Sequence, residues 1–460
     1  MPFALAGPRS RCEHRDLCCD LPSPDVSSPA VCARPEALRR LVTTGADANV
    51  DLATATRAAL IAAREVLEAA DPRLPRTHLD AAIAEVERTL CPLPDRYAAV
   101  DVEVARLAEA LANLDATPAE VGRHLHGVAR PDLLALADEQ PELIGRLDGA
   151  PAWLRDHANR RLLAAELTRI RRGERRLRRE FDRLLQAPGT QARRHALSQQ
   201  RRSLLDRLDR LQRLDELPTV QVLVFDPARG RIAVARGDVD AADHVTTFVP
   251  GTGTTLDDVE GLVERASDLV RAARRADPAG RTAAVAWLDY DAPSWPLQPT
   301  SSRAAVDGTQ DLAGFVEGLR VINAGATRTL IGHSYGSTVV GATARKHDLD
   351  VDAVVGLASP GMRASSAEEL RLPEDGRVYA VSDTSGGKLN PFSGDVIHTV
   401  SDGLLTVRLG RDPLRSGFGA ETFDVSDAGG HGAAGYLDPT SRSGRNLARV
   451  MTGQHDRLSR

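Results

Sequence analysis

Across residues 219–382 short apolar runs alternate with helix-type runs, and this alternation constrains the fold more than any other feature of the chain. Two β-type runs, 219–225 and 231–235, flank Asp226-Pro-Ala-Arg-Gly230, whose residue types make a hairpin turn. A third strand is expected at 244–249. Beyond it the pattern predicts helix 256–276, strand 282–288, helix 309–324, strand 327–332, helix 336–347, strands 352–358 and 377–382, and a last strand at 421–425. Parallel strands need long crossovers, and helices supply them on both faces. The expected fold class is therefore α/β with a mostly parallel sheet.

Before Pro218 the texture is different. Residues 35–216 repeat apolar side chains at three- and four-residue spacing, with Pro72, Pro75, Pro92 and Pro94 as breaks, so an all-α region precedes the sheet. Within it, 153–216 carries two arginine-loaded helical runs around Ala187-Pro-Gly-Thr190. Acidic residues interleave with the arginines, so we expect an antiparallel hairpin with a solvated basic face rather than a polyanion-binding stripe. Residues 1–34 read as a Pro/Ser-punctuated tail and 441–460 as a polar one.

At 460 residues the chain exceeds one ordinary core, and with only 3% aromatics its interior must be filled by small and aliphatic side chains. A net charge of -5 gives no global pull toward nucleic acid. No run is long and apolar enough to span a bilayer, and the N-terminus has no continuous apolar signal core, so the expectation is a cytoplasmic protein, with leaderless secretion left open. Cys12, Cys18, Cys19 and Cys32 lack the paired spacing of a structural zinc site, and Cys91 stands alone. No metal or cofactor is expected.

The chemistry concentrates at Gly332-His-Ser-Tyr-Gly336, a G-x-S-x-G pattern between a strand-type and a helix-type run. A serine hydroxyl attacks a carbonyl only when its oxygen is held exposed beside a base, and a sharp strand-to-helix turn does this, which makes Ser334 the candidate nucleophile. The tetrahedral intermediate needs two pre-aimed N–H donors. One is expected from Tyr335. The other is expected from Thr252 in the glycine-rich end of the third strand, Val249-Pro-Gly-Thr-Gly-Thr, where Gly251 lets the backbone approach a ligand. Tyr290, beyond the strand ending at Trp287-Leu, is a candidate pocket wall or core cap, as is Trp295.

An antiparallel pair followed by alternating units is how an alpha/beta-hydrolase domain begins, and on that fold the order is Ser, acid, His. Four histidines follow Ser334: His347, His398, His431 and His455. His347 closes the helix that starts at Ser334, and His455 lies in the C-terminal tail. His431, in a glycine loop just after the expected last strand, is the candidate base, with His398 in reserve. For the acid we favour Asp395 and keep Asp383 and Asp412 as alternatives, since an aspartate beside Gly or Pro is commonly a turn former. His333 is expected to pack or to make a supporting hydrogen bond.

Taken together, Val249-Pro-Gly-Thr-Gly-Thr, Trp287-Leu-Asp-Tyr-Asp-Ala-Pro293, Gly332-His-Ser-Tyr-Gly-Ser and Phe418-Gly-Ala with Gly430-His431 resemble a family of uncharacterised actinobacterial alpha/beta-hydrolases. The likeness covers roughly 218–440, and residues 147–159 are similar to the lead-in before that domain. It implies a serine hydrolase with Ser334 as nucleophile and His431 as base. Relatives carry G-D-P-[IV] at the acid. Gly394-Asp-Val-Ile397 is similar to it, with Val396 in place of the proline, and implies Asp395.

The sequence thus points to a serine hydrolase, esterase- or lipase-like, cleaving a small-molecule acyl ester through an acyl-enzyme; transfer to an alcohol would use the same groups. The competing expectation is a hydrolase-like scaffold with a weak or vestigial site, whose helical half binds a protein partner or self-associates.

Overall fold

The computed structural model describes residues 117–294, 302–383 and 409–460. The cysteines, the helical pattern before residue 117, Trp295, Asp395 and His398 lie outside the described residues.

Seven strands form one sheet: β1 (Val220–Asp226), β2 (Arg231–Arg236), β3 (His244–Val249), β4 (Thr282–Leu288), β5 (Thr327–His333), β6 (Ala353–Leu357) and β7 (Arg377–Val381), in the order β1-β2-β4-β3-β5-β6-β7. β2 runs antiparallel to both β1 and β4, and every pairing from β4 to β7 is parallel. β4 is buried at every position and β3 and β5 at all but their first, so this sheet needs cover on each face. Helix α6 (Val259–Ala276) with α11 (Arg442–Met451), and α8 (Thr309–Ile322) with α9 (Tyr335–Lys346), provide the two layers. Alanines 283, 284 and 286 leave room for that cover close to the strand, while Trp287 fills the space beside Phe315.

The helical region begins with α1 (Pro118–Leu125), closed at its start by a reciprocal Thr117/Glu120 box, and continues through α2 (Arg130–Glu139) and α3 (Pro141–Gly145). Val121, Leu125, Leu133, Leu136 and Ile144 make a small core of their own with Leu154 and Ala158. Two long helices follow, α4 (Ala152–Leu184) and α5 (Gln191–Asp215). Leu163, Leu167, Ile170, Leu211 and Leu214 belong to the same core as the sheet. The orphan N–H groups at the start of α4 are satisfied by a carboxylate far along the chain: Asp240 accepts from Ala152 at 2.7 Å and Trp153 at 2.9 Å. Further along α4, Asp156 accepts from the Val222 N–H (2.7 Å) and Asn159 donates to the Val222 carbonyl (3.0 Å), which stitches the helix to β1.

Two expectations are corrected. The last strand, expected at 421–425, is reduced to one parallel bridge between Glu421 and Tyr379. The Phe423 ring packs against Tyr379 and the Asp424 N–H donates to the Ser459 carbonyl, which draws the chain off the sheet. Residues 441–460 are no polar tail. They contain α11, whose Leu447, Ala448, Val450 and Met451 are buried among polar neighbours spaced for one face, and Asn446 ties it to Asp424 and Ser459. Among the described residues no helix is long and apolar enough to cross a membrane.

Because α4 and the sheet share a core, Leu167→Ala should cost about 2–5 kcal/mol. Unfolding followed by far-UV circular dichroism and by tryptophan fluorescence should remain one coincident transition at a lower denaturant midpoint. Separate transitions for helices and sheet would contradict the shared core.

Candidate active site

Only one residue separates β5 from α9, and that residue is Ser334. Its backbone sits at φ 52°, ψ −127°, a conformation that costs a non-glycine residue about 1–3 kcal/mol. The surrounding glycines explain how the turn closes. A Cβ on Gly332 would lie 2.4 Å from the Ser337 Cα, and one on Gly336 would lie 2.1 Å from the Val249 carbonyl oxygen. The turn is further held by the Ser334 N–H donating to the Leu357 carbonyl (2.9 Å) and by the Ser337 hydroxyl donating to the Ser334 carbonyl (2.6 Å). Ser334 itself is half-buried.

His431 reaches this hydroxyl from 97 positions away: its Nε2 lies 3.0 Å from Ser334 Oγ. The loop that brings it there contains Gly429 (φ 72°) and Gly430 (φ 108°), both in the left-handed region that suits glycine. Two groups hold the loop. The Gly430 N–H donates to Asp383 Oδ2 (3.1 Å), and His333 Nε2 contacts the His431 carbonyl at 2.7 Å. A carbonyl only accepts, so His333 donates there. The His333 imidazole is pushed down from 6.5 to about 4, first by burial and then by the neighbouring His431, which keeps it neutral.

Of the acids weighed from sequence, Asp383 is beside the histidine loop. It lies two residues beyond β7, is buried, and its own N–H donates to the Tyr436 hydroxyl at 2.7 Å. Asp412 instead closes a turn, accepting from the Leu414 N–H at 2.9 Å. Asp395 lies outside the described residues. His347 caps the far end of α9, and His455 stacks on Tyr379 with Nδ1 3.0 Å from its hydroxyl, so neither meets Ser334.

The glycine loop after β3 abuts the same serine. A Cβ on Gly251 would be 2.9 Å from both the His333 carbonyl oxygen and the Ser334 Cβ, so only glycine fits. Thr252 follows it, half-buried, and Gly253 anchors the loop by donating to the Pro293 carbonyl (2.9 Å). Tyr335 opens α9, so its N–H belongs to the helix's N-terminal end beside Ser334. Tyr290, expected as a pocket wall or a core cap, lies in the core. It is buried between Trp287 and Tyr335 in a stack of rings, and its hydroxyl donates to the Pro250 carbonyl at 2.7 Å, so it braces the glycine loop from within.

Sequence reasoning missed Tyr436, which holds the backbone of Asp383; it expected a supporting hydrogen bond from His333 but not that the partner is the His431 carbonyl. Neither contact joins neighbours in the chain, so no local pattern announces it. Among the described residues no three His, Cys, Asp or Glu side chains converge as metal ligands.

Residues 226–386 match a family model described as alpha/beta hydrolase. The chain is 31% identical over 371 residues to an uncharacterised protein of Mycobacterium tuberculosis, covering 74% of this chain and 56% of that protein. An uncharacterised protein of Mycobacterium bovis is 30% identical over 165 residues, 34% of this chain and 62% of its own. The chain thus spans less than two thirds of the length of these relatives. Similar solved structures include a carboxylesterase from Mesorhizobium loti (18% identity, TM-score 0.25, 42% of this chain and 83% of that one). Another is a Trichoderma reesei cutinase in complex with a phosphonate inhibitor (17%, TM-score 0.24, 38% and 78%). The chain has an alpha/beta-hydrolase fold with a helical region before the sheet.

The depressed pKa of His333 carries a pH signature. Between 6.5 and about 4 the unfolded chain binds a proton that the folded one refuses, so this group's contribution is intact above 6.5 and is lost as pH falls through that window. The contribution is on the order of 3 kcal/mol. Subtracting the stability–pH curve of His333→Gln from that of the wild type should reveal this slope, and a flat difference would contradict the assignment.

Proposed function

We propose that this protein is a serine hydrolase that cleaves a carboxylic ester, or a related acyl compound, through an acyl-enzyme. The observation that carries the reading is the 3.0 Å contact between His431 Nε2 and Ser334 Oγ at a strained strand-to-helix turn. Holding a hydroxyl on an imidazole nitrogen at this distance has a direct chemical use, because the nitrogen takes the proton as the oxygen becomes a nucleophile.

In the proposed reaction Ser334 Oγ adds to the carbonyl carbon and its proton passes to His431 Nε2. The charge that develops on the carbonyl oxygen is stabilised by the Thr252 and Tyr335 amides. Collapse breaks the carbon–oxygen bond to the alcohol, which leaves with the proton from His431. Water then adds to the acyl carbon, His431 taking and returning a proton in the same way, and the carboxylic acid departs with Ser334 regenerated. Asp383 is assigned as the acid that orients His431, on the strength of its bond to the Gly430 N–H. His333 is a positioning residue: neutral and buried, it fixes the carbonyl of the base without meeting substrate.

Ser334→Ala should abolish covalent labelling by a fluorophosphonate probe and turnover of short-chain nitrophenyl esters. Asp383→Asn should lower kcat by about 10⁴-fold, as loss of the orienting carboxylate does in the serine triad, whereas Asp412→Asn should leave kcat unchanged. Label retained in Ser334→Ala would sink the nucleophile, and an Asp383→Asn enzyme with normal kcat would sink the acid.

A further inference from the structure

The α4–α5 hairpin is two different objects along its length. At its base it is part of the fold: Arg160 donates to the Val220 carbonyl at the start of β1, and Asp215 of α5 stands opposite. Further along the pair, Glu166 faces Arg207, and Arg207 donates to the Pro227 carbonyl in the β1–β2 turn. That turn lies at the same edge of the sheet as Ser334, since Ile232 of β2 pairs with Leu288 at the C-terminal end of β4. Beyond Ile170 and Arg202 both helices run on to the turn around Pro188, which at 1.5 Å per residue makes an arm about 20 Å long.

Charge on this arm is one-sided. Residues 171–202 contain eleven arginines against three acids, Glu174, Glu180 and Asp182. The acids that interleave with arginines in the sequence lie mostly at the base, and in the arm Glu180 and Glu174 are matched by Arg193 (2.7 Å) and Arg201 (2.6 Å). Among the described residues, Arg175, Arg178, Arg179 and Arg183 are exposed and make no ion pair. The tip changes character again. Residues 184–192 bear no charge, and Leu185 is 48% exposed, the most exposed large apolar side chain among the described residues.

We propose that this arm docks the protein on an anionic lipid bilayer. An uncharged apolar tip ringed by arginines fits the boundary between headgroups and acyl chains, with Leu185 among the chains and the guanidinium groups at the phosphates. A nucleic acid would use the charge but has no use for the apolar tip. For base stacking the arm offers two rings, the half-buried Phe181 and the exposed His195. Since the arm leaves from the edge that carries Ser334, docking turns that edge toward the bilayer. On the hydrolase reading above, the substrate class is then an acyl ester of a lipid resident in that surface.

The full chain should cosediment with vesicles of phosphatidylcholine mixed with phosphatidylglycerol, be released by salt, and ignore vesicles of phosphatidylcholine alone. Arg175→Gln/Arg178→Gln/Arg179→Gln should weaken that partitioning about a hundredfold, and Leu185→Ser should weaken it about tenfold without changing the salt dependence. Both variants should turn over a soluble short-chain nitrophenyl ester at the wild-type rate while losing the faster hydrolysis of lipid esters presented in anionic vesicles. Binding that is indifferent to phosphatidylglycerol or to the three arginines overturns the proposal, as does retention on an RNA or DNA oligonucleotide with none on vesicles. Vesicle binding that follows the arginines, with no ester turnover of any kind, supports the docking surface and overturns the hydrolase reading on which the substrate class rests.

Discussion

Ser334 carries the chain from β5 into α9 in a single residue, and the arrangement around it depends on that turn staying closed. The conformation is unfavourable for a residue with a Cβ, so its neighbours must make every alternative worse. They do so by contact: Gly332 against Ser337, Gly336 against the end of β3, and Gly251 against Ser334 itself. Two segments, 249–251 and 332–337, approach within the thickness of a missing methyl group. The central strands β3 and β5, paired from His244↔Thr327 to Val249↔Gly332, fix their ends to the same level and so set that spacing.

The histidine loop has no such rigid parent. The strand expected before it has dwindled to one bridge at Glu421, and the glycines that let it turn also leave it free to turn elsewhere. Its position comes from polar contacts with neighbours already fixed by the sheet. Asp383 leaves β7 and holds the Gly430 N–H, while His333 ends β5 and holds the His431 carbonyl. Burial keeps His333 neutral, so the loop is anchored without placing a positive charge beside His431. Tyr436, itself buried, closes the ring by accepting from the Asp383 N–H.

The helical region has a similar division between what is fixed and what projects. Its base shares the core of the sheet and is held by carboxylates reaching across from α4 and the β2–β3 connection. Among the described residues its outer half buries little beyond the contact of the two helices, with Leu197 the buried exception beyond Ile170 on the outgoing and returning helices until Leu211. Long arginine stems keep such a helix pair soluble, and they also give it a strong local field that the net charge of the whole chain conceals.

Strand positions were legible from sequence because period and length are local: β3 and β4 fall at 244–249 and 282–288 as their residue types predict. The serine turn was legible for the same reason, since glycines two residues either side of a serine between strand and helix record a steric demand within five residues. The choice among Asp383, Asp395 and Asp412 was not, because each sits in a similar turn-prone setting and only the approach of the Gly430 N–H separates the first from the third. Tyr290 was ambiguous until its hydroxyl met the Pro250 carbonyl, and α11 was hidden because ten residues with four apolar side chains look polar until their neighbours are known. Sequence by itself determined the strands of the sheet and the serine turn, since these follow from steric and hydrophobic patterns among near neighbours. Only the tertiary structure brings His431 Nε2 to Ser334 Oγ and Asp383 to the Gly430 N–H, since those distances depend on how remote segments fold back together.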